Sequence, residues 1–270
     1  MRTGVSTASL FSRKYNEEAL PLLSSLGIKD VEVFLTSFCE YGEPFASLLV
    51  SKKGNINVNS VHILNTEFEP QLFSMNERVR QDAYAWLEKV MLSANMLNAK
   101  YYTFHGIARV KRATHSGKND NLAQTLKDFI VIETFCRKHG VTLCLENVEW
   151  STYNRPGIFK FLSSEIPTLK GVLDIKQARI STYPYEEYLS EMGKRLAYVH
   201  LSDIDEKGNI CLPGKGIFDF DGLIRRLKDQ GFNGKLILEV YQNNYDNEVE
   251  LKTSCDYLDE LLYKHGVLDG

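Results

Sequence analysis

The chain has 270 residues, 43% of them hydrophobic, 25% charged and 11% aromatic, with 32 basic against 35 acidic residues and a formal net charge of −3. Those proportions are ordinary for a globular protein and exclude a disordered chain, a collagen-like repeat and a coiled coil. The slight acidic balance, without a long run of either sign, argues against a surface that tracks a nucleic-acid backbone.

From the N-terminus, Met1–Leu10 lacks the apolar core and cleavage motif of a signal peptide. The first apolar run is Thr3–Ala8, followed by a helical stretch from Asn16 to Leu26 that Gly27 stops. Val31–Leu35 and Val58–Leu64 come next, and the stretch between Glu40 and Lys53 carries no clear assignment. Asn76 can cap a long helix whose apolar positions Val79, Ala83, Trp86 and Val90 step by four, three and four. After Lys100–His105, Asn121 to His139 repeats that pattern and ends at Gly140. The remaining apolar runs are Val141–Glu146, Gly171–Asp174, Leu196–Leu201 and Leu236–Val240. Between and after them, helices are expected at Tyr185–Lys194, Asp219–Gln230 and Glu248–Lys264.

Eight short apolar runs alternate with amphipathic stretches at a little over 30 residues per unit, which predicts a single (β/α)8 barrel over residues 1–270. Runs this short and continuously apolar suit strands buried on both faces of a parallel sheet. No stretch approaches the roughly 20 apolar residues of a membrane span. Five scattered cysteines, Cys39, Cys136, Cys144, Cys211 and Cys255, form no C-x-x-C pair and read as reduced thiols. The expected setting is therefore the cytoplasm.

Barrels of this kind keep their chemistry at the carboxyl ends of the strands. There the last four runs end in Glu146, Asp174, His200 and Glu239 in turn. An unpaired charge buried at such a place costs several kcal/mol or neutralises itself. A divalent cation removes the problem, because three carboxylates and an imidazole make an oxygen and nitrogen ligand set suited to Mn, Co, Fe, Mg or Zn. Each residue alone has a plainer reading, as a helix cap, an arginine partner or a hydrogen-bonded core histidine. Four in matching positions on successive strands favour a metal site. His62 and His105 also stand at strand tips.

These tips, with the E-N-V of Glu146–Val148, the H-L-S-D of His200–Asp203 and the P-G-K-G-I-F-D-F of Pro213–Phe220, resemble the xylose isomerase-like barrel superfamily. That superfamily holds sugar-phosphate isomerases and epimerases as well as type IV apurinic endonucleases, and the resemblance spans roughly residues 3 to 262. It implies a metal set of Glu146, Asp174, His200 and Glu239, with Glu146 and Glu239 also serving as the acid/base pair. It further implies that His62 and His105 line the pocket, although His62 also reads as a satisfied barrel histidine. Lys215 falls in a loop that relatives use near substrate; its other reading is an exposed turn lysine.

Departures from the family pattern narrow the expectation. Gln177 stands where relatives carry a substrate-contacting or zinc-binding histidine, and the stretch Glu206–Cys211 has no histidine. A trinuclear zinc site thus lacks ligands. Epimerases of the superfamily carry a further Glu and Arg for which only Glu149 and Lys207 are near. Lys176 reads either as a pocket residue that binds a carboxylate or phosphate or as a solvated loop lysine, with a Schiff-base role the remotest reading. Trp150 can wall the pocket against a sugar face. The expected function is a metal-dependent isomerase or epimerase of a small sugar, ketose, polyol or inosose. The alternatives are a zinc phosphodiesterase on abasic DNA and a barrel that binds a sugar without turning it over. The expected partner is that small molecule, with neither nucleic acid nor membrane; self-association is left open.

Overall fold

The computed structural model describes residues 1–64, 67–107 and 122–268. Eight parallel strands close into a barrel: β1 (Arg2–Ser6), β2 (Asp30–Leu35), β3 (Asn57–Ile63), β4 (Tyr101–Phe104), β5 (Thr142–Glu146), β6 (Lys170–Asp174), β7 (Leu196–Leu201) and, after a hairpin of two short strands β8 (Asp203–Ile204) and β9 (Ile210–Cys211), β10 (Lys235–Leu238). Their order around the barrel follows the chain, and β10 closes on β1 with Arg2 opposite Lys235. Each expected run forms a strand. The first ends earlier than expected, at Ser6, because residues 7–10 turn into a short 3-10 helix. The fold is a single TIM barrel.

Helices α1 (Asn16–Ser25), α2 (Glu43–Lys52), α3 (Glu77–Met96), α4 (Leu122–Lys138), α5 (Ile158–Glu165), α6 (Ile175–Ile180), α7 (Tyr185–Met192), α8 (Phe220–Asp229) and α9 (Val249–Lys264) surround it. Asn76 caps α3 by accepting the Arg78 N–H at 3.0 Å, as its side chain and position suggested. The face that α3 buries is Ala83, Leu87, Val90, Met91 and Ala94, whereas Trp86 is half-buried and Val79 stands outside that face. Asn121, expected to open α4, lies outside the described residues. The unassigned stretch contains α2, whose apolar Leu48 and Val50 are 37% and 40% exposed, so its period was blurred. No helix among the described residues is long and apolar enough to cross a membrane.

Strand alternation sets what faces the barrel interior. Cys144, Val172, Tyr198 and Ile237 pack together, and each stands two residues before Glu146, Asp174, His200 and Glu239 respectively. The four polar tips therefore rise from an apolar plug on their own strands. On the first four strands, Ser6, Glu32, Ser60 and Thr103 are buried and polar.

The P-G-K-G motif has a structural cause. The Asp203 carboxylate accepts the backbone N–H groups of Ile204 (2.7 Å), Gly214 (3.0 Å), Gly216 (3.0 Å) and Phe218 (2.9 Å). A Cβ at Gly216 would lie 2.2 Å from the Ile204 carbonyl oxygen, so only glycine permits this approach. Asp203 thus ties the loop that leads into α8. Charge-assisted bonds of this kind contribute about 1.5–3 kcal/mol each without adding in full. Asp203→Ala is therefore expected to lower the unfolding free energy by about 2 kcal/mol or more in denaturant melts, and a change within ~0.5 kcal/mol would contradict the assignment.

Candidate active site

The mouth of the barrel holds a cavity of about 370 Å³ lined by His62, His105, Glu146, Lys176, Gln177 and Glu239 among others, with Trp150 and Tyr241 at its aromatic wall. Ligand atoms of Glu146, Asp174, His200 and Glu239 all lie within 4.8 Å of one another, as the ends of four successive barrel strands allow. Glu146, Asp174 and His200 are at most 2% exposed. His200 Nδ1 is 2.8 Å from Glu146 Oε1 and 3.5 Å from Glu239 Oε2. Glu239 sits one residue past β10, and its N–H continues the ladder to the Leu201 carbonyl at 2.9 Å.

Asn147 explains the E-N-V motif. Its side chain donates to the Asp174 carbonyl at 2.8 Å and accepts the Asp174 N–H at 2.7 Å, so a side-chain amide imitates a strand partner and pins the tips of β5 and β6 together. Asp174 also caps α6 by accepting the Gln177 N–H at 2.8 Å.

The two additional histidines join the same site. His105 Nε2 is 2.6 Å from Glu146 Oε2 and 3.1 Å from His62 Nε2. His62, His105 and Glu146 thereby form a second set whose atoms can hold an ion, overlapping the first at Glu146. Trp150 stands edge-on to the His105 ring, 5.2 Å between centroids. Gln177 lines the cavity and accepts the Glu149 N–H at 3.4 Å.

Lys176 is no solvated loop lysine: it is 6% exposed. Its Nζ lies 3.5 Å from both Asp174 Oδ2 and Glu239 Oε2 and 4.8 Å from the centre of the Tyr241 ring. Three carboxylates this close repel one another, and the ammonium offsets part of that repulsion. Burial opposes its charge, but Asp174 and Glu239 outweigh burial and raise its pKa above the ordinary lysine range. A neutral amine for a Schiff base is therefore disfavoured. Lys215 is not brought to the cavity. Its side chain is 55% exposed and pairs with Glu250 at 3.8 Å, because the Asp203-tied loop turns it outward. Lys207 is exposed in the turn of the β8–β9 hairpin, so it does not supply the missing arginine.

Sequence reasoning missed Glu32, fully buried on β2, with its Oε1 3.0 Å from His200 Nε2. The available signal was an acid in the middle of an apolar run, D-V-E-V-F-L. Burial opposes ionisation of Glu32 and Glu146, but the charge and hydrogen bonds of the neighbouring histidines outweigh it and hold both carboxyls well below their ordinary range. For His200, burial opposes the cation, and Glu239, Glu32 and Glu146 outweigh it, so its pKa stands well above the ordinary value.

The chain belongs to the xylose isomerase-like TIM barrel family, whose model matches residues 20–261. No curated protein matches the sequence. Among solved structures it is similar to D-psicose 3-epimerase with D-tagatose from Clostridium cellulolyticum H10 (16% identity, TM-score 0.76, all of both chains). It is also similar to 3-keto-D-glucoside 4-epimerase YcjR from E. coli (15% identity, TM-score 0.74, 96% of this chain and 99% of that one). A third similar structure is the IOLI protein with a binding zinc atom (15% identity, TM-score 0.77, 98% and 99%). Identities this low establish the shared fold.

Asp174 gives a test of the site's electrostatics. Burial raises its pKa from 3.8 to about 6; Lys176 opposes the shift, and repulsion from Glu146 and Glu239 adds to it. A carboxyl whose folded pKa is raised stabilises the fold in its neutral form, so that stability is full below 3.8 and is lost as pH rises through about 6. Asp174→Asn keeps the α6 cap and removes this penalty. In urea melts with chelator, the variant should gain on wild type by on the order of 1–3 kcal/mol between pH 4 and pH 7. A gap that narrows over that range would contradict the assignment.

Proposed function

We propose that this barrel is a divalent-metal-dependent isomerase or epimerase of a small, uncharged sugar, ketose, polyol or inosose. The observation that carries the reading is the convergence of Glu146, Asp174, His200 and Glu239 within 4.8 Å at the floor of a mouth cavity. The donor set suits a hard or borderline divalent ion: three anionic oxygens and one imidazole nitrogen, already drawing in an ammonium as counter-charge. Mn, Co, Mg, Fe and Zn are all compatible with it. Such an ion, when bound, supplies the positive charge that makes the C–H beside a carbonyl acidic.

The chain's own residues then do the rest. Glu146 and Glu239 come from strands nearly opposite in the barrel, so each carboxylate reaches the substrate from its own side. One removes the α-proton and the other returns a proton to the opposite face, which inverts the carbon. Transfer between adjacent carbons on one face instead interconverts an aldose and a ketose. His105, 2.6 Å from Glu146, offers a route by which that carboxyl exchanges its proton. Lys176 and Gln177 offer donors to substrate oxygens, while Trp150 and Tyr241 bound the cavity and limit access of water. Five free thiols, three of them buried, support a reducing, cytoplasmic setting.

A second reading, a zinc phosphodiesterase, is favoured by the set of His62, His105 and Glu146. Against it stand Gln177 in place of a histidine and the net charge of −3. Nicking of an abasic duplex in the presence of zinc would support it.

The test is proton exchange. Metal-stripped protein is expected to catalyse no exchange of a C–H with deuterated water on a panel of keto and aldo sugars, and restored divalent metal is expected to return it. Glu146→Gln and Glu239→Gln should each reduce the rate by ~10² or more. Exchange that persists in chelator, or that neither substitution affects, would contradict the proposal.

A further inference from the structure

Glu32 has no part in the roles above, yet both of its carboxylate oxygens are bonded inside the barrel. Its Oε2 accepts hydroxyls of Ser60 (2.8 Å), Thr103 (2.7 Å) and Tyr198 (3.0 Å), and its Oε1 accepts that of Ser6 (3.1 Å). Four hydroxyl donors from four strands mark it as an acceptor on both oxygens. Oε1 also faces two imidazoles, His200 Nε2 at 3.0 Å and His62 Nδ1 at 3.5 Å. Both nitrogens are buried and make no aligned hydrogen bond, and His62 Nδ1 also lies 3.7 Å from Glu239 Oε1, so a carboxylate oxygen is the partner within reach of each. An acceptor-only neighbour favours a proton on each of them. The opposite nitrogens then face the mouth: His200 Nδ1 toward Glu146 and Glu239, His62 Nε2 toward His105.

We propose that Glu32 is a positioning residue shared by His200 and His62, fixing both imidazoles with N–H toward the barrel interior, so that the mouth-facing nitrogen of each is the one that gives up its proton when an ion binds. One carboxylate oxygen then sets the orientation of a histidine in both the Glu146, Asp174, His200, Glu239 set and the His62, His105, Glu146 set, so these are not tuned independently; a third grouping, Glu32 with His62 and Glu239, has similar spacing. A buried acid at this place is otherwise expensive, since an apolar side chain with apolar partners would fill the same layer at less cost. Outer carboxylates on metal-binding histidines fix the tautomer and raise ligand basicity, and their loss typically weakens metal binding 10- to 100-fold. The proposal rests on the reading of His200 as an ion ligand.

The test uses three measurements on wild type and Glu32→Gln, which keeps the size and one acceptor. Calorimetric titration with Mn²⁺ should show binding to the variant weakened about tenfold or more. Thermal unfolding in chelator should remain cooperative for both proteins. Nitrogen-15 spectra of histidine-labelled wild type, with Zn²⁺ and with chelator, should show protons on His200 Nε2 and His62 Nδ1. A folded variant that binds Mn²⁺ as wild type does would overturn the proposal, and so would bare nitrogens at those two positions. If the variant does not fold, the wild-type spectra decide. Wild type that binds no divalent ion would instead sink the metal reading, and the spectra in chelator still report whether the nitrogens facing Glu32 carry protons.

Discussion

A carboxylate in the middle of an eight-stranded barrel cannot be solvated by water, so the protein has to supply the solvation itself. Glu32 imposes that requirement here. Ser6, Ser60, Thr103 and Tyr198 bring hydroxyls to it from β1, β3, β4 and β7, and His62 and His200 bring imidazoles. Buried polar side chains of β1 to β4 gather around this group, whereas Cys144, Val172 and Ile237 on β5, β6 and β10 belong to an apolar cluster. Tyr198 on β7 belongs to both halves, with its ring in the apolar plug and its hydroxyl on Glu32. The mouth residues are built on this asymmetric floor.

Above the floor the sum of charges decides the chemistry. Glu146, Asp174 and Glu239 crowd together, and the protein tempers their repulsion with His200 and the buried ammonium of Lys176. An ammonium held at 3.5 Å from two carboxylates is a loose, monovalent substitute for what a doubly charged ion would do at shorter range. Lys176 has three N–H donors and a flexible stem, so it is able to turn toward substrate oxygens when the carboxylates are otherwise engaged. On the proposed function, the same residue would connect the charge balance of the site to the recognition of its substrate.

Much of this was legible in the sequence, for a definable reason. Strands buried on both faces are continuously apolar, so a charge that ends one is conspicuous; that is how Glu146, Asp174, His200 and Glu239 stand out. Glu32 is hidden by the same rule, because a single acid inside D-V-E-V-F-L does not reveal whether it turns inward or ends a shorter strand. Lys176 was ambiguous because its burial depends on the first turn of α6 folding back over the mouth, which a six-residue helix does not announce. Lys215 was placed near substrate by resemblance and points away, since the Asp203 carboxylate holds its loop against the hairpin. The E-N-V and P-G-K-G motifs were informative as family marks, but their residues Asn147 and Asp203 act on the backbone.

The central claim is that four strand tips hold a single divalent ion where Lys176 now supplies the counter-charge. Anomalous diffraction from crystals of the Mn²⁺-loaded protein tests it most directly. The account predicts a strong anomalous peak about 2.0–2.3 Å from oxygens of Glu146, Asp174 and Glu239 and from His200 Nδ1, with the Lys176 ammonium outside the coordination sphere. No peak at that position, with Lys176 still seated between Asp174 and Glu239, would contradict it.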